Sequence, residues 1–501
     1  MRVPIVQFET EQKAEPLLIV QRGKVVSTAD WIREARFAQK AWATIPIFER
    51  LKWVRRVREL IAGKAKRLAS LEAEAACRPL AEVLSAQVLP LCDACRFLER
   101  EAEKLLRPRK LGRAGRPIWL TGVEAEVHRE PYGLILVIAP SNYRLFLPGV
   151  MVMQALAAGN AVFFKPGPGG TKVGEALLKI FEEAGLDPRL CRLLPELPEA
   201  TRDAIASGVD KIVFTGSAET GQQILLQAAS RLTPTTMELS GCDALFVRDD
   251  ADLPLAARAV IFGLTLNNSE TCIAPRRVFV SRARASAFQE TLVELISRTS
   301  QHSSRNDEVF SLVQEAINNG AELIAGGLGK DGVLHFPVVL SHVPAATPLL
   351  RSDVFAPVVS IVEVKDDEEA IAQAADCPFA LGASIFTQDH AAAAAMTARL
   401  CAGSVIINDL IAPTADPRLP FGGRRRSGFG VTRGREGLLE MTVPKVISHR
   451  KNHFHVHLEA PTEIDAELME RLISATHGKG LFKRLTAWMR LGKLLKNRRK
   501  L

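Results

Sequence analysis

The chain has 501 residues, 47% hydrophobic and 24% charged, a balance that excludes disordered, collagen-like and disulfide-scaffold chains and implies two or more domains. Lys and Arg number 65 against 56 Asp and Glu, an excess of nine positive charges, and nine Lys and Arg with no acid fall between Lys479 and Leu501. The remaining body is formally neutral, so no nucleic-acid partner is expected.

No run of 18 apolar residues occurs, so no membrane-spanning helix is expected. The first residues, Met1-Arg2-Val3-Pro4 onward, carry no secretory pattern, and the expected location is the cytoplasm. Eight cysteines, Cys77, Cys92, Cys95, Cys191, Cys242, Cys272, Cys377 and Cys401, are scattered along the chain and read as reduced thiols. Cys92 and Cys95 form a C-x-x-C, but the nearest further cysteine, Cys77, has no partner, so no metal or redox role is expected there.

Residues 29–106 are rich in Ala, Leu, Glu, Arg and Lys, and Leu51, Val54, Val57 and Ile61 recur at helical spacing. A strand-like segment is expected from residue 118 to 130. From residue 133 the pattern changes to short apolar runs alternating with helical stretches. Strands are expected over 134–139, 161–164, 190–194 and 211–214, and helices over 147–158, 171–184 and 219–230. Gly159-Asn160 and Gly185 supply the stops of the first two helices. Such alternation predicts right-handed βαβ units, a parallel sheet, and a ligand site at the carboxyl ends of its strands. The second half repeats the pattern at 257–264, 277–280, 287–298, 336–340 and 358–364. Two α/β domains facing one another across a cleft are therefore expected. A last strand is expected over 437–449.

Three elements stand in the order that thiol-based carbonyl chemistry needs. Ala139-Pro-Ser-Asn142 closes a buried strand, so Asn142 sits at the carboxyl edge. Met237-Glu238-Leu239-Ser240-Gly241 sets a carboxylate among apolar neighbours, and Asn267-Asn-Ser-Glu-Thr-Cys272 sets a thiol after a polar loop. Each alone is an ordinary structural feature: a satisfied Asn, a paired Glu, a core Cys.

Together they resemble the aldehyde dehydrogenase superfamily, over about residues 30 to 450. Glu130-Pro-Tyr-Gly133 with Pro140-Ser-Asn142, then Ala158-Gly-Asn160 through Lys165-Pro166, then Phe214-Thr-Gly-Ser217 with Gly221 match its motifs in order. Glu238-Leu-Ser-Gly241, Asn267 to Cys272, Asp353-Val-Phe355-Ala-Pro357 and Pro420-Phe-Gly-Gly423 with Ser427-Gly428 complete the set. The resemblance implies NAD- or NADP-dependent oxidation of an aldehyde through a cysteine thiohemiacetal and thioester. It implies Cys272 as nucleophile, Asn142 and the Cys272 N–H as oxyanion donors, and Glu238 as the base that activates water. Lys165, Pro166, Gly216, Ser217, Gly221, Leu239, Asp353 and Phe355 are the implied cofactor contacts. No G-x-G-x-x-G follows any predicted strand, and the family binds its cofactor without one.

The implied fold is α/β: a Rossmann-like cofactor domain (1–115 and 133–239), a catalytic domain (240–436), a small β oligomerisation arm (116–132 and 437–450) and a basic extension (451–501). A homodimer or homotetramer follows from the arm. Departures from the family pattern stand in the same motifs. Lys165-Pro166-Gly167-Pro168 lacks the acid usual after the Lys-Pro pair, which admits NADP as well as NAD. Ser240, Ser269-Glu270, Asp353 and Ala356 also differ, and Glu270 would raise the thiol pKa if it faced the sulfur. These departures keep two alternatives open: a degenerate scaffold that has lost turnover, and a CoA-acylating enzyme, which Glu238 opposes.

Cys242, four residues after Glu238, is a second thiol for which a structural role is expected. His453, His455 and His457 read as a solvated edge rather than ligands, so no metal is expected. In the tail, Leu481, Phe482, Leu485, Trp488, Met489 and Leu495 fall within about 140° of a helical wheel, and Lys483, Arg490 and Lys493 face elsewhere. That pattern suits an anionic membrane surface or packing against a protein neighbour.

Overall fold

The Ala- and Leu-rich amino-terminal region folds as helices at Thr28–Thr44, Ile47–Gly63, Ala65–Ala76 and Leu89–Leu106. Ser27 opens the first through a capping box with Asp30, and Pro46, whose φ is fixed, separates the first two. The expected stripe is buried: Leu51, Val54, Val57 and Ile61 lie in one core with Trp31, Trp42 and Trp53. The computed structural model describes residues 18–21, 24–451, 456–458, 460 and 462–498. His453, His455, Arg499 and Lys500 lie outside the described residues.

The chain forms two compact units. One comprises Met1–Pro108 with His128–Lys445, and the other Arg109–Val127 with Val446–Leu501. Among the described residues the first unit holds two large sheets and two two-stranded ones. Strands β1 (Leu134–Ile138), β2 (Ala161–Lys165), β3 (Cys191–Leu193), β4 (Lys211–Gly216) and β5 (Thr235–Leu239) pair in parallel in the order β5-β4-β1-β2-β3. β1 and β2 are buried on both faces, as their unbroken apolar runs require. The chain moves outward from β1 through β3, then returns to the other side of β1. The carboxyl ends of β1 and β4 therefore flank a switch point, where ligands enter such sheets.

In the second sheet, β6 (Asp243–Val247), β7 (Pro275–Ser281), β8 (Val333–Ser341), β9 (Val358–Val364), β10 (Gly382–Phe386) and β11 (Ser404–Ile407) run in the order β8-β9-β7-β6-β10-β11, all parallel. Period-two alternation divides the side chains between its faces. Ala244, Phe246 and Phe279 enter one core, and Leu245, Val247 and Val278 the other. His302–Arg305 and Glu322–Leu328 add antiparallel strands against β8.

Two expected strands differ. Ile118–Leu120 is a short 3₁₀ turn and the strand begins at Val123, because Pro117 and Gly122 (φ +90°) interrupt extension. Residues Gly434–Glu440 are helical and the strand begins at Thr442. Helix wins there because Leu438 and Met441, three apart, are fully buried and Glu440 pairs with the buried Lys211 at 2.9 Å. Thr442–Arg450, Val123–Pro131 and Arg109–Leu111 form a three-stranded sheet in that order. The second unit also holds the helices Glu463–His477 and Leu481–Arg498. Among the described residues no helix is long and apolar enough to cross a membrane.

Candidate active site

A cavity of about 210 Å³ opens at the switch point. The loop after β1 contributes Asn142, the end of β4 contributes Gly216 and Ser217, and the end of β5 contributes Glu238 and Leu239. The loop before β7 contributes Cys272, and the loop before β9 contributes Asp353 and Phe355. Eight of the residues singled out in the sequence thus share one wall. Lys165, Pro166 and Gly221 lie outside that lining. Gly221 packs the first turn of helix Ala218–Ala229 onto Leu239, where a Cβ would meet Leu239 Cδ2 at 2.8 Å.

Glu238 is almost fully buried, between Thr215 of β4 and Gly428 of an antiparallel edge strand. That edge requires glycine, since Gly428 has φ +98° and its Cβ would lie 2.0 Å from the Met237 carbonyl oxygen. The Thr432 hydroxyl donates to Glu238 Oε2 at 2.7 Å, while Oε1 is buried with no protein partner. Burial pushes this carboxyl up from its ordinary range, against the opposing Arg433 guanidinium and the Thr432 bond. Arg433 is itself buried and stacks over the Phe421 ring at 4.4 Å.

The cysteine loop is held in an unusual backbone. Asn267, Asn268 and Ser269 all have positive φ, at 59°, 51° and 59°. Side chains from several elements fix it there. Asn142 Nδ2 donates to the Glu270 carbonyl at 2.6 Å, and Tyr143 Oη lies 2.9 Å from Thr271 Oγ1. Arg276 Nη1 donates to Ser269 Oγ at 2.7 Å and to the Ala356 carbonyl at 2.9 Å, tying the cysteine loop to the segment that carries Asp353 and Phe355. Glu270 does not press on the sulfur: its carboxylate pairs with Arg78 at 3.3 Å. The Cys272 thiol is half-buried and pushed well up, by desolvation first and then by the charges of Glu238 and Asp243, with Arg433 opposing. Cys242 lies outside the cavity lining, its Sγ 3.6 Å from the Leu350 carbonyl and its own carbonyl bonded by Arg277 at 2.7 Å.

On the nucleotide side the residues fit a dinucleotide. Asp353 Oδ1 is buried without a protein partner, an acceptor available to a ribose hydroxyl. Burial pushes the Asp353 carboxyl up to about 6, with Ser240 and Arg276 opposing. Gly216 precedes a helix whose N-cap is Ser217, the arrangement that receives phosphate. Gly167 must be glycine, since its Cβ would lie 2.0 Å from the Pro140 carbonyl oxygen and 2.9 Å from Ser141 N. The 165–168 turn therefore sits directly on the loop that carries Asn142. Lys165 is buried and its pKa lowered by desolvation, against the nearby Glu196. Glu196, from the segment after β3, is an acid the motif comparison missed; it accepts from Gly169 N at 2.9 Å and Thr171 N at 2.8 Å.

Reasoning from sequence also missed Thr432, Arg433, Arg78 and Arg276. The Arg276-Arg277 pair at the head of an apolar strand was a readable signal, because buried arginines need partners. Thr432 and Arg78 carry no comparable sign.

A family model described as "Aldehyde dehydrogenase family" matches residues 7–447. The chain is 30% identical over 425 residues to the 4,4'-diapolycopene aldehyde oxidase of a Methylomonas species, covering 82% of this chain and 80% of that protein. It is 29% identical over 478 residues to a putative succinate-semialdehyde dehydrogenase [NADP(+)] of Mycolicibacterium smegmatis, covering 91% and 90%. Among solved structures, the NADP-dependent glyceraldehyde-3-phosphate dehydrogenase of Bacillus halodurans, complexed with NADP, superposes with a TM-score of 0.78 at 28% identity, covering 87% of this chain and 96% of that one.

Proposed function

The chain belongs to the aldehyde dehydrogenase family and oxidises aldehydes with NAD or NADP, and from that premise we propose that Cys272, Asn142 and Glu238 carry the chemistry. The observation that carries this reading is the shared wall of one cavity at the sheet's switch point. Cys272 adds to the aldehyde carbon, forming a C–S bond and a thiohemiacetal. The oxyanion is held by the Asn142 amide, whose other N–H is already spent on the Glu270 carbonyl, and by the Cys272 N–H. When bound, the nicotinamide supplies the acceptor for the hydride that the substrate carbon loses. Glu238 then takes a proton from water, which attacks the thioester carbonyl and releases the acid and the thiol.

The raised pKa values suit this division. A protonated Cys272 in the resting site needs a base, and Glu238, which burial makes a stronger proton acceptor than an exposed carboxylate, shares its cavity. Asp353, Phe355, Gly216, Ser217 and Leu239 are the cofactor contacts, with Lys165 and Pro166 at the adenosine end and Gly221 shaping the helix start beneath.

NADP suits the site better than NAD. No acid follows Pro166 in its own turn, Glu196 is occupied by backbone amides, and Arg144 donates to the Pro168 carbonyl at 2.8 Å, next to Lys165's turn. A phosphate on the ribose would meet Lys165 and Arg144 there, with the Glu196 carboxylate opposing. The edge strand Thr442–Arg450 exposes Val443, Val446 and Ile447, and a homodimer or homotetramer would cover it.

A screen of short, long and aromatic aldehydes with each cofactor tests the reading. Reduction of NADP by at least one class is expected, at lower KM than for NAD. No reduction of either cofactor, together with no cofactor binding, would leave only a scaffold role.

A further inference from the structure

The last helix, Leu481–Arg498, has two apolar sides, and only one is used inside its own unit. Ala487 and Leu491, the latter 4% exposed, are buried, as are Ala475 and Leu468 of the preceding helix. Arg484 Nε donates to the Ala475 carbonyl at 3.1 Å, closing the end of the hairpin. The opposite side remains open. Leu481 is 84% exposed and Phe482 89%, and Leu485, Trp488 and Met489 are exposed as well. At roughly 100° per residue these five span an arc of about 120°, centred across the helix from the Ala487–Leu491 seam. Side chains of this size are not left in water over one contiguous stripe without a partner.

The surrounding charge identifies that partner. Arg484 borders the arc, Lys483 and Arg490 lie on the far side of the helix, and the segment from Lys479 to Leu501 carries nine cations and no acid. A protein interface would pair some of these within the segment or thin them out; an acidic lipid surface is attracted by their summed charge. Trp and Phe beside Leu are the side chains that settle at the headgroup boundary. We propose that the helix Leu481–Arg498 docks the protein on an anionic membrane surface, its exposed apolar arc entering the interface and the net positive charge of the segment drawing it to acidic headgroups. The helix lies on the membrane and does not span it, since its apolar arc is too narrow and its charge too high. The docking is independent of the catalytic reading.

The test is vesicle sedimentation of the full chain and of the double variant Phe482→Glu/Leu485→Glu. Both positions are exposed, so the variant keeps its fold, verified by thermal melting and by aldehyde oxidation with a soluble aldehyde in the same samples. The full chain is expected to pellet with vesicles of equal parts phosphatidylcholine and phosphatidylglycerol. It should partition about tenfold less onto phosphatidylcholine alone, and lose binding as salt is raised. The double variant should lose about tenfold in partitioning onto the acidic vesicles. Equal pelleting with both vesicles, no pelleting with either, or equal pelleting of the variant would each overturn the proposal. A full chain that ignores vesicles but forms a larger oligomer than the variant would assign the face to a second copy instead.

Discussion

Replacing Thr432 by Val removes one hydroxyl and keeps the shape. Thr432 exchanges two backbone hydrogen bonds with Phe421, at 2.7 and 2.8 Å, and neither involves the side chain. What is lost is the hydroxyl, which donates to Glu238 Oε2 at 2.7 Å and lies a longer 3.2 Å from the Phe421 carbonyl oxygen. Glu238 Oε1 has no protein partner, so no second bond compensates. A hydrogen bond to a charged acceptor contributes about 1.5–3 kcal/mol, and roughly 1.4 kcal/mol corresponds to a factor of ten. The ionised form of Glu238 is the one disfavoured. Its pKa, already raised by burial, rises further, so the base is lost at higher pH than before. The acid limb of sustained turnover should move up by about one pH unit or more, with activity recovering as the pH is raised, and Thr432→Ser should restore its position. Steady-state rates across pH, with a pre-steady-state burst at each point, measure this. An unchanged acid limb in Thr432→Val would remove Glu238 from the rate-limiting proton transfer.

Glu238→Gln should leave a burst of reduced cofactor without sustained turnover; an unchanged steady-state rate would contradict its role. The same change removes a negative charge beside Cys272, so iodoacetamide should alkylate the thiol at lower pH than in the native protein. Arg276→Met strips the donors from Ser269 and the Ala356 carbonyl, and should cost about 1–3 kcal/mol of stability, lower kcat and raise KM for cofactor, measured by denaturant unfolding and kinetics. Gly167→Ala sets a Cβ against the Pro140 carbonyl and should destabilise by about 1–3 kcal/mol. Lys165→Ala should raise KM for NADP more than for NAD, and an equal rise would argue against a ribose-phosphate contact.

The alternation of β1, β2 and β4 with their helices was legible because each strand carries an unbroken buried apolar run and the helices after β1 and β2 stop at Gly159 and Gly185. The motif residues were legible because their order survives divergence. What was not legible depends on contacts across the fold. Nothing near Thr432 in sequence announces Glu238, nearly two hundred residues earlier. Glu270 looked hazardous to the thiol until Arg78, equally distant, took its carboxylate. Residues 437–440 had a strand-like composition, but the burial of Leu438 and Met441 imposed a helix. The tail's amphipathic pattern was visible, yet only the hairpin revealed that its buried seam and its apolar arc are different sides.

Trapping the acyl intermediate tests the central claim most directly. Glu238→Gln, mixed with NADP or NAD and an aldehyde that the native protein turns over, should gain the mass of one acyl group, located by peptide mapping on Cys272. An adduct on Cys242, or turnover persisting in Cys272→Ala, would contradict the account.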